Sequence, residues 1–148
     1  MTATSFFSDL VRCETRLYNA LNEQMRRNHG IAASQYEFLS YLRDHPDARV
    51  GDLARFFAVG VGATSKGVDR LEGQGWVRRV PDPADRRSSL LELTDAGARL
   101  VGEAETTFAA IGGLVQEALD PARLREAAQA LRQLSTALAE DGVGMPAG

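Results

Sequence analysis

The segment 76–94, WVRRVPDPADRRSSLLELT, constrains the possible folds of this chain more than any other stretch. Two short runs, WVRRV and SLLEL, alternate apolar and polar residues and flank a polar segment with two prolines, two aspartates and two arginines. This pattern predicts two antiparallel strands joined by a long hairpin loop, with Asp85, Arg86 and Arg87 at its tip. Because an isolated two-stranded ribbon is only marginally stable in water, the rest of the chain must support it. A basic hairpin of this kind is either a nucleic-acid-binding wing or a solvated surface loop.

Apolar residues recur at three- and four-residue spacing on both sides of the hairpin, which predicts helices. We expect a long first helix ending near residue 28 and a second helix opened by a capping box of Ser34 and Glu37. Two short helices should follow over 50–57 and 61–74, separated by a tight turn. Thr94 and Asp120 are expected to cap the last two helices. Two short helices followed by a hairpin form a winged helix-turn-helix, whose second helix enters the major groove of DNA.

The expected fold is therefore mainly α, with a two-stranded wing and long helices at both ends. We divide the one compact domain into four parts: an N-terminal dimerisation helix over 1–33, the winged helix-turn-helix module over 34–99, C-terminal dimerisation helices over 100–140, and a flexible tail over 141–148. The outer helices carry more apolar surface than the central module needs, so we expect a twofold homodimer. The alternative is that these helices wrap their own subunit.

The charge distribution favours a DNA-binding centre on an acidic frame. The net charge is −3, but residues 49–99 contain 9 Arg or Lys against 7 Asp or Glu, while the remainder has 8 against 13. Lys66 is the only lysine, so almost every cation is an arginine. A local basic excess is what binding to phosphates requires.

Several other classes of protein are excluded by the sequence. No apolar run approaches the length of a membrane span, and no basic region followed by an apolar one begins the chain, so we expect a cytoplasmic protein. A single cysteine, Cys13, excludes an intramolecular disulfide framework, and His29 and His45 are too few and too scattered for a zinc site. No glycine-rich phosphate loop follows a strand. We therefore expect no metal, no cofactor and no enzymatic activity.

At this level of detail the chain resembles the MarR family of bacterial transcriptional regulators. The resemblance runs without a gap through LARFFAVGVGATSKGVDRLEGQGWVRRVPDPADRRSSLLELTDAGARL. Its most specific part is the D-x-R wing followed by leucines and LT-x-x-G, here running from Asp85 to Gly97. The sequence departs from the family at Gly60, Gly62 and Gly67, where side chains are usual. Because each interior helix glycine costs about 0.5–1 kcal/mol relative to alanine, we expect a soft recognition helix.

The resemblance implies a homodimer that binds double-stranded DNA at an inverted-repeat operator, acting as a repressor. Carried over by position, the DNA-binding residues are Gly62, Ala63, Thr64, Ser65, Lys66, Arg70, Arg86 and Arg87. Arg87 corresponds to the minor-groove residue and Asp85 to the carboxylate that orients the wing.

Many relatives release DNA when a small phenolic or other aromatic ligand binds between the dimerisation and DNA-reading parts. The aromatic candidates for lining such a cleft are Tyr18, Tyr36, Phe38 and Trp76, which at helical spacing also suit a plain core. Two alternatives stay open. One is a thiol-based oxidative-stress sensor that uses Cys13, and the other is a winged-helix protein-interaction module that does not bind DNA.

Overall fold

The computed structural model describes residues 1–147, which form six helices and a two-stranded sheet. In chain order these are α1 (Ala3–His29), α2 (Ala33–Asp44), α3 (Val50–Phe57), α4 (Val61–Gly73), β1 (Val77–Asp82), β2 (Asp85–Leu93), α5 (Asp95–Ala118) and α6 (Pro121–Glu140). The predicted mainly helical fold with a two-stranded wing is confirmed.

Side-chain caps fix several of the helix ends. Thr94 accepts the Gly97 N–H at 3.1 Å and Asp120 accepts the Arg123 N–H at 2.9 Å, so both predicted N-caps are confirmed. The predicted box of Ser34 and Glu37 is wrong, because the N-cap of α2 is Ala32, two residues before Ser34. Gln35 Oε1 accepts the Ala32 N–H at 2.9 Å instead. A side chain from α1 completes this end, since Asn22 Oδ1 accepts the Ala33 N–H at 2.8 Å.

The core lies where α1, α2 and α5 meet the helix-turn-helix and the base of the sheet. Its fully buried apolar side chains come from every one of these elements. Examples are Met25, Leu39, Leu53, Leu71, Leu91 and Val101. This shared core holds the recognition module rigidly against the long helices, as the marginal stability of a lone hairpin requires.

The hairpin turn is tighter than the sequence suggested. Strands β1 and β2 pair in regular register from Val77↔Leu93 to Pro81↔Ser89. The register then shifts, so that residues 86–88 have no partner on β1 and Asp82 pairs with Asp85 across a turn of Pro83 and Ala84. Asp82 Oδ1 accepts the Ala84 N–H at 2.9 Å, and this bond closes the turn. The prediction of a long loop with Asp85, Arg86 and Arg87 at its tip is therefore wrong, since all three residues belong to β2.

The base of the wing is joined to its surroundings by main-chain contacts. The Leu91 N–H donates to the Ala48 carbonyl at 2.8 Å, which adds an isolated bridge beside β2. Directly after β2, the Thr94 N–H donates to the carbonyl of Trp76, the residue before β1, at 3.0 Å. A β-carbon at Gly97 would lie 2.0 Å from that same Trp76 oxygen. At Gly97, the glycine of the LT-x-x-G pattern, the backbone of α5 thus packs directly against the backbone of Trp76 at the start of the wing.

Helix α6 buries none of its residues in the single chain. Leu131, Leu134 and Leu138 remain exposed along it, as do Phe6 and Phe7 on α1. After α6, the Val143 N–H bonds back to the Leu138 carbonyl at 2.9 Å, so the segment predicted as a tail begins as an ordered turn. Residue 148 of that predicted tail lies outside the described residues. No helix within residues 1–147 is both long and apolar enough to cross a membrane.

Candidate nucleic-acid interface

Helix α4 has a buried face and an exposed face. Thr64, Val68 and Leu71 point into the core. Gly62, Ala63, Lys66 and Arg70 are exposed on the opposite side, and Ser65 is half-buried beside them. The helix therefore presents a polar surface containing two cations to solvent.

Thr64 does not lie on that surface, which corrects its place among the predicted DNA-binding residues. Its side chain is fully buried, and its hydroxyl donates to the Gly60 carbonyl at 2.9 Å, one turn back along the helix. The physical reason is helical phase, since Thr64 lies four residues before the buried Val68 and shares its face.

Arg86 and Arg87 are exposed on β2 at the distal end of the wing. Asp85 Oδ1 accepts the Arg87 N–H at 3.0 Å, so the carboxylate shapes the backbone immediately beside this arginine. That contact is compatible with a wing-orienting role for Asp85, which stays a prediction.

Arg79 joins the wing to the recognition helix and was missed by sequence reasoning. From β1, its guanidinium contacts the carboxylates of Asp69 at 2.7 Å and Glu72 at 2.9 Å, both on α4. It also donates to the Ser65 carbonyl at 3.4 Å. The available signal was strand alternation, because Arg79 lies two residues after the buried Val77 and so shares its inward face.

Arg49, the residue before α3, joins the wing to the helix-turn-helix from the other side. Its guanidinium donates to the Asp82 carboxylate and to the Ser88 hydroxyl. The hydrogen bond from Arg49, together with the Ala84 N–H, lowers the pKa of Asp82 below its ordinary value, so the carboxylate stays ionised. The sequence offered no local signal here, since the partners are 33 and 39 positions apart.

Side chains from α3, α4 and the wing line a cleft of about 430 Å³. It contains four arginines and three serines, namely Arg49, Arg55, Arg79, Arg87, Ser65, Ser88 and Ser89. We call this the basic cleft. Guanidinium and hydroxyl groups are the donors that suit phosphate oxygens, and the carboxylate of Asp52, which also lines the cleft, is paired with Arg55.

The cations around this surface fall into two groups. Arg49, Arg55, Arg78 and Arg79 each form an ion pair with a carboxylate. Within residues 1–147, the structure shows no ion pair for Lys66, Arg70, Arg86 or Arg87. The unpaired cations are four of the residues predicted to meet DNA.

Comparison with known proteins identifies the family. The MarR family model matches residues 31–89. The chain superposes on the crystal structure of Sco3205, a MarR family transcriptional regulator from Streptomyces coelicolor in complex with DNA, with a TM-score of 0.87 and 26% identity. The superposition covers 99% of this chain and 94% of Sco3205. The chain carries a MarR family domain over residues 31–89.

Curated members of the MarR family are similar over the central module. The multiple antibiotic resistance protein MarR of Escherichia coli is 36% identical over 70 residues, which cover 47% of this chain and 49% of the relative. The transcriptional repressor NicR of Pseudomonas putida is 34% identical over 93 residues, covering 62% and 58%. The chain thus matches about half the length of these relatives. MarR family members are transcriptional regulators and not enzymes.

The four aromatic residues predicted to line an effector cleft do not come together. Tyr36 lines a pocket of about 190 Å³ between α2, α3 and α5, and its ring stacks on Phe108 with centroids 5.2 Å apart. Phe38 lines a different pocket, against α4. Tyr18 donates to Glu37 Oε1 at 2.8 Å, and Trp76 packs on the core. Tertiary packing distributes these residues, which is why helical spacing could not group them.

Cys13 is exposed on α1, outside the basic cleft. Among residues 1–147, no group of three or more His, Cys, Asp or Glu side chains is placed to hold a metal ion.

Proposed function

We propose that this chain is a DNA-binding transcriptional regulator. Helix α4 enters a major groove and the β1–β2 wing reaches a neighbouring minor groove. The observation that carries the proposal is the group of unpaired cations, Lys66 and Arg70 on α4 and Arg86 and Arg87 on the wing. Phosphates neutralise such cations on binding. The crystal structure of Sco3205 in complex with DNA supports DNA as the partner.

The same proposal includes a homodimer on a pseudo-palindromic operator. The support is the exposed apolar row on α6, a 20-residue helix that buries nothing in the single chain. A twofold axis would place two copies of α4 on one face, which demands half-sites about one helical turn apart.

We further propose that the regulator is a repressor released by a small aromatic ligand. Repression agrees with the name of NicR, although another relative, BadR of Rhodopseudomonas palustris, is a transcriptional activatory protein. The best placed pocket is the one lined by Tyr36, Tyr41, Phe56, Phe57 and Phe108, because it touches both a long helix and α3. A thiol sensor is the second candidate, favoured by the exposure of Cys13.

Selection of duplexes from a random-sequence library tests DNA binding without knowledge of the operator. The wild-type protein should enrich an inverted repeat, and its affinity should fall as salt rises. Lys66→Gln should reduce the slope of log affinity against log salt by about 0.9 for one lost phosphate contact. Arg27→Gln is the matched control, since Arg27 lies on α1 and pairs with Glu23. The proposal fails if the wild-type protein enriches no sequence and any residual DNA binding does not depend on salt. A winged-helix module that binds proteins would then explain the fold better.

A further inference from the structure

Arg49 occupies a position where its residue type is unexpected. It is the N-cap residue of α3, and N-caps favour short side chains that accept a hydrogen bond from the first turn of the helix. Arginine has no acceptor, and the Arg49 side chain makes no capping bond. At this end of α3 the helix side chain caps the N-cap backbone instead, because Asp52 Oδ2 accepts the Arg49 N–H at 2.8 Å. The Arg49 guanidinium therefore takes no part in capping α3 and can bind groups outside the helix.

That guanidinium spans both strands of the wing. It donates to Asp82, the last residue of β1, and to Ser88, the residue after Arg87 on β2. The Asp82 side chain is only 11% exposed, although Pro81, Pro83 and Ala84 around it are exposed. The contact thus shields a carboxylate at the otherwise solvated end of the hairpin.

In the described part of the chain, no other side chain makes a hydrogen bond between this part of the wing and the helices. Within residues 1–147, the side-chain hydrogen bonds that join the distal segment 82–88 to the helix-turn-helix both come from Arg49. The contacts of Arg79 and of the Ala48–Leu91 bridge lie nearer the base. Since a two-stranded ribbon twists and bends easily, the distal end is defined only if something holds it.

We infer that Arg49 is a positioning residue that fixes the wing, and with it Arg87, at one distance from the recognition helix. The inference rests on the proposed function and deepens it. An arginine that enters a minor groove senses the width of that groove, and it does so only if its approach is fixed. Arg49 therefore determines how strongly the protein distinguishes A·T-rich from G·C-rich sequence flanking the half-sites.

Two substitutions distinguish positioning of the wing by Arg49 from a direct effect of its charge on DNA affinity. Arg49→Met removes a cation, while Asp82→Asn removes an anion and leaves Arg49 in place. Electrostatics alone predicts opposite effects on DNA affinity. Positioning predicts the same loss of flank discrimination in both variants, and no further loss in the double variant, because each change breaks the same contact. The matched controls are Arg78→Met and Glu92→Gln, since this cross-strand pair lies on the same hairpin outside the basic cleft.

Two measurements are made on each full-length variant. The first is the ratio of affinities for two labelled duplexes that share the half-sites selected by the wild type and differ only in A·T-rich or G·C-rich flanks. Wild type and controls should discriminate roughly tenfold, and Arg49→Met and Asp82→Asn nearly not at all. The second is amide hydrogen exchange without DNA, where residues 84–88 should exchange faster in these two variants while α4 is unchanged.

The inference is overturned if both variants keep the flank preference of wild type. It is also overturned if Arg49→Met weakens both duplexes equally while Asp82→Asn tightens both, because Arg49 would then be a plain phosphate contact. A wild-type protein that binds no duplex contradicts the proposed function itself. In that case unchanged wing exchange in Arg49→Met would remove the anchoring role as well.

Discussion

At the scale of single residues, Gly97 is a position where a side chain would collide with backbone. Alanine there would place its β-carbon 2.0 Å from the Trp76 carbonyl oxygen, which is backbone and cannot rotate away. We expect Gly97→Ala to lower the free energy of unfolding by about 2–4 kcal/mol. Urea denaturation measures this change. Gly102→Ala, on the same helix with open space around the new carbon, should instead raise stability by about 0.5–1 kcal/mol.

Arg87 should matter for DNA affinity and little for folding. It is exposed and makes no ion pair among the described residues, so Arg87→Ala removes almost no packing. We expect a loss of about 1–3 kcal/mol in binding to a selected operator, with a larger loss on A·T-rich flanks. Titration of labelled duplexes measures both. Arg78→Ala is the control, because Arg78 pairs with Glu92. Equal affinities for wild type and Arg87→Ala would mean that the hairpin is only a solvated loop.

At the scale of elements, Gly67 lets the recognition helix α4 pack closely against Phe38 of α2. A β-carbon at Gly67 would lie 3.1 Å from the Phe38 ring, so the aromatic ring occupies the space that a side chain on α4 would need. Gly67→Ala should therefore gain less than the usual 0.5–1 kcal/mol of helix propensity, which is about the cost of an interior glycine.

A double-mutant cycle tests this packing. In a Phe38→Leu background the contact is relieved, and Gly67→Ala should then stabilise α4 more than it does in the wild type. Thermal or urea unfolding of the four proteins gives the coupling free energy. Equal effects of Gly67→Ala in both backgrounds would show that Phe38 and Gly67 do not share this space.

The elements also show what the sequence can and cannot reveal. The helices and the hairpin were predictable because apolar periodicity and the caps Thr94 and Asp120 are local properties. The position of the turn was not, since several prolines and aspartates in one segment are compatible with either a long loop or a tight one. Arg49 could not be assigned because its partners on the wing are remote in sequence. The burial of Thr64 was predictable, since Thr64 lies four residues before the apolar Val68, but the DNA-binding residues were carried over by position and included it.

At the scale of the whole molecule, the exposed apolar side of α6 implies a partner subunit. Leu131, Leu134 and Leu138 lie along one side of this helix and remain exposed in the single chain. Light scattering should give about twice the 16.0 kDa chain mass. Leu134→Asp should shift the protein to monomer, since a charge buried in an apolar interface is costly. Gln133→Asp, one residue away on a different side, should remain dimeric. A wild-type monomer at micromolar concentration would contradict this part of the account.

In the proposed complex, two copies of α4 and two wings read one inverted repeat. Hydroxyl-radical footprinting on a duplex selected by the wild-type protein tests it most directly. The account predicts a pattern with twofold symmetry, in which the half-site centres lie about 10–10.5 bp apart and protected minor-groove flanks lie outside them. Arg87→Ala should remove the outer protections and leave the inner ones. A single asymmetric block of protection, or protection that does not change when bases are inserted between the half-sites, would contradict the account.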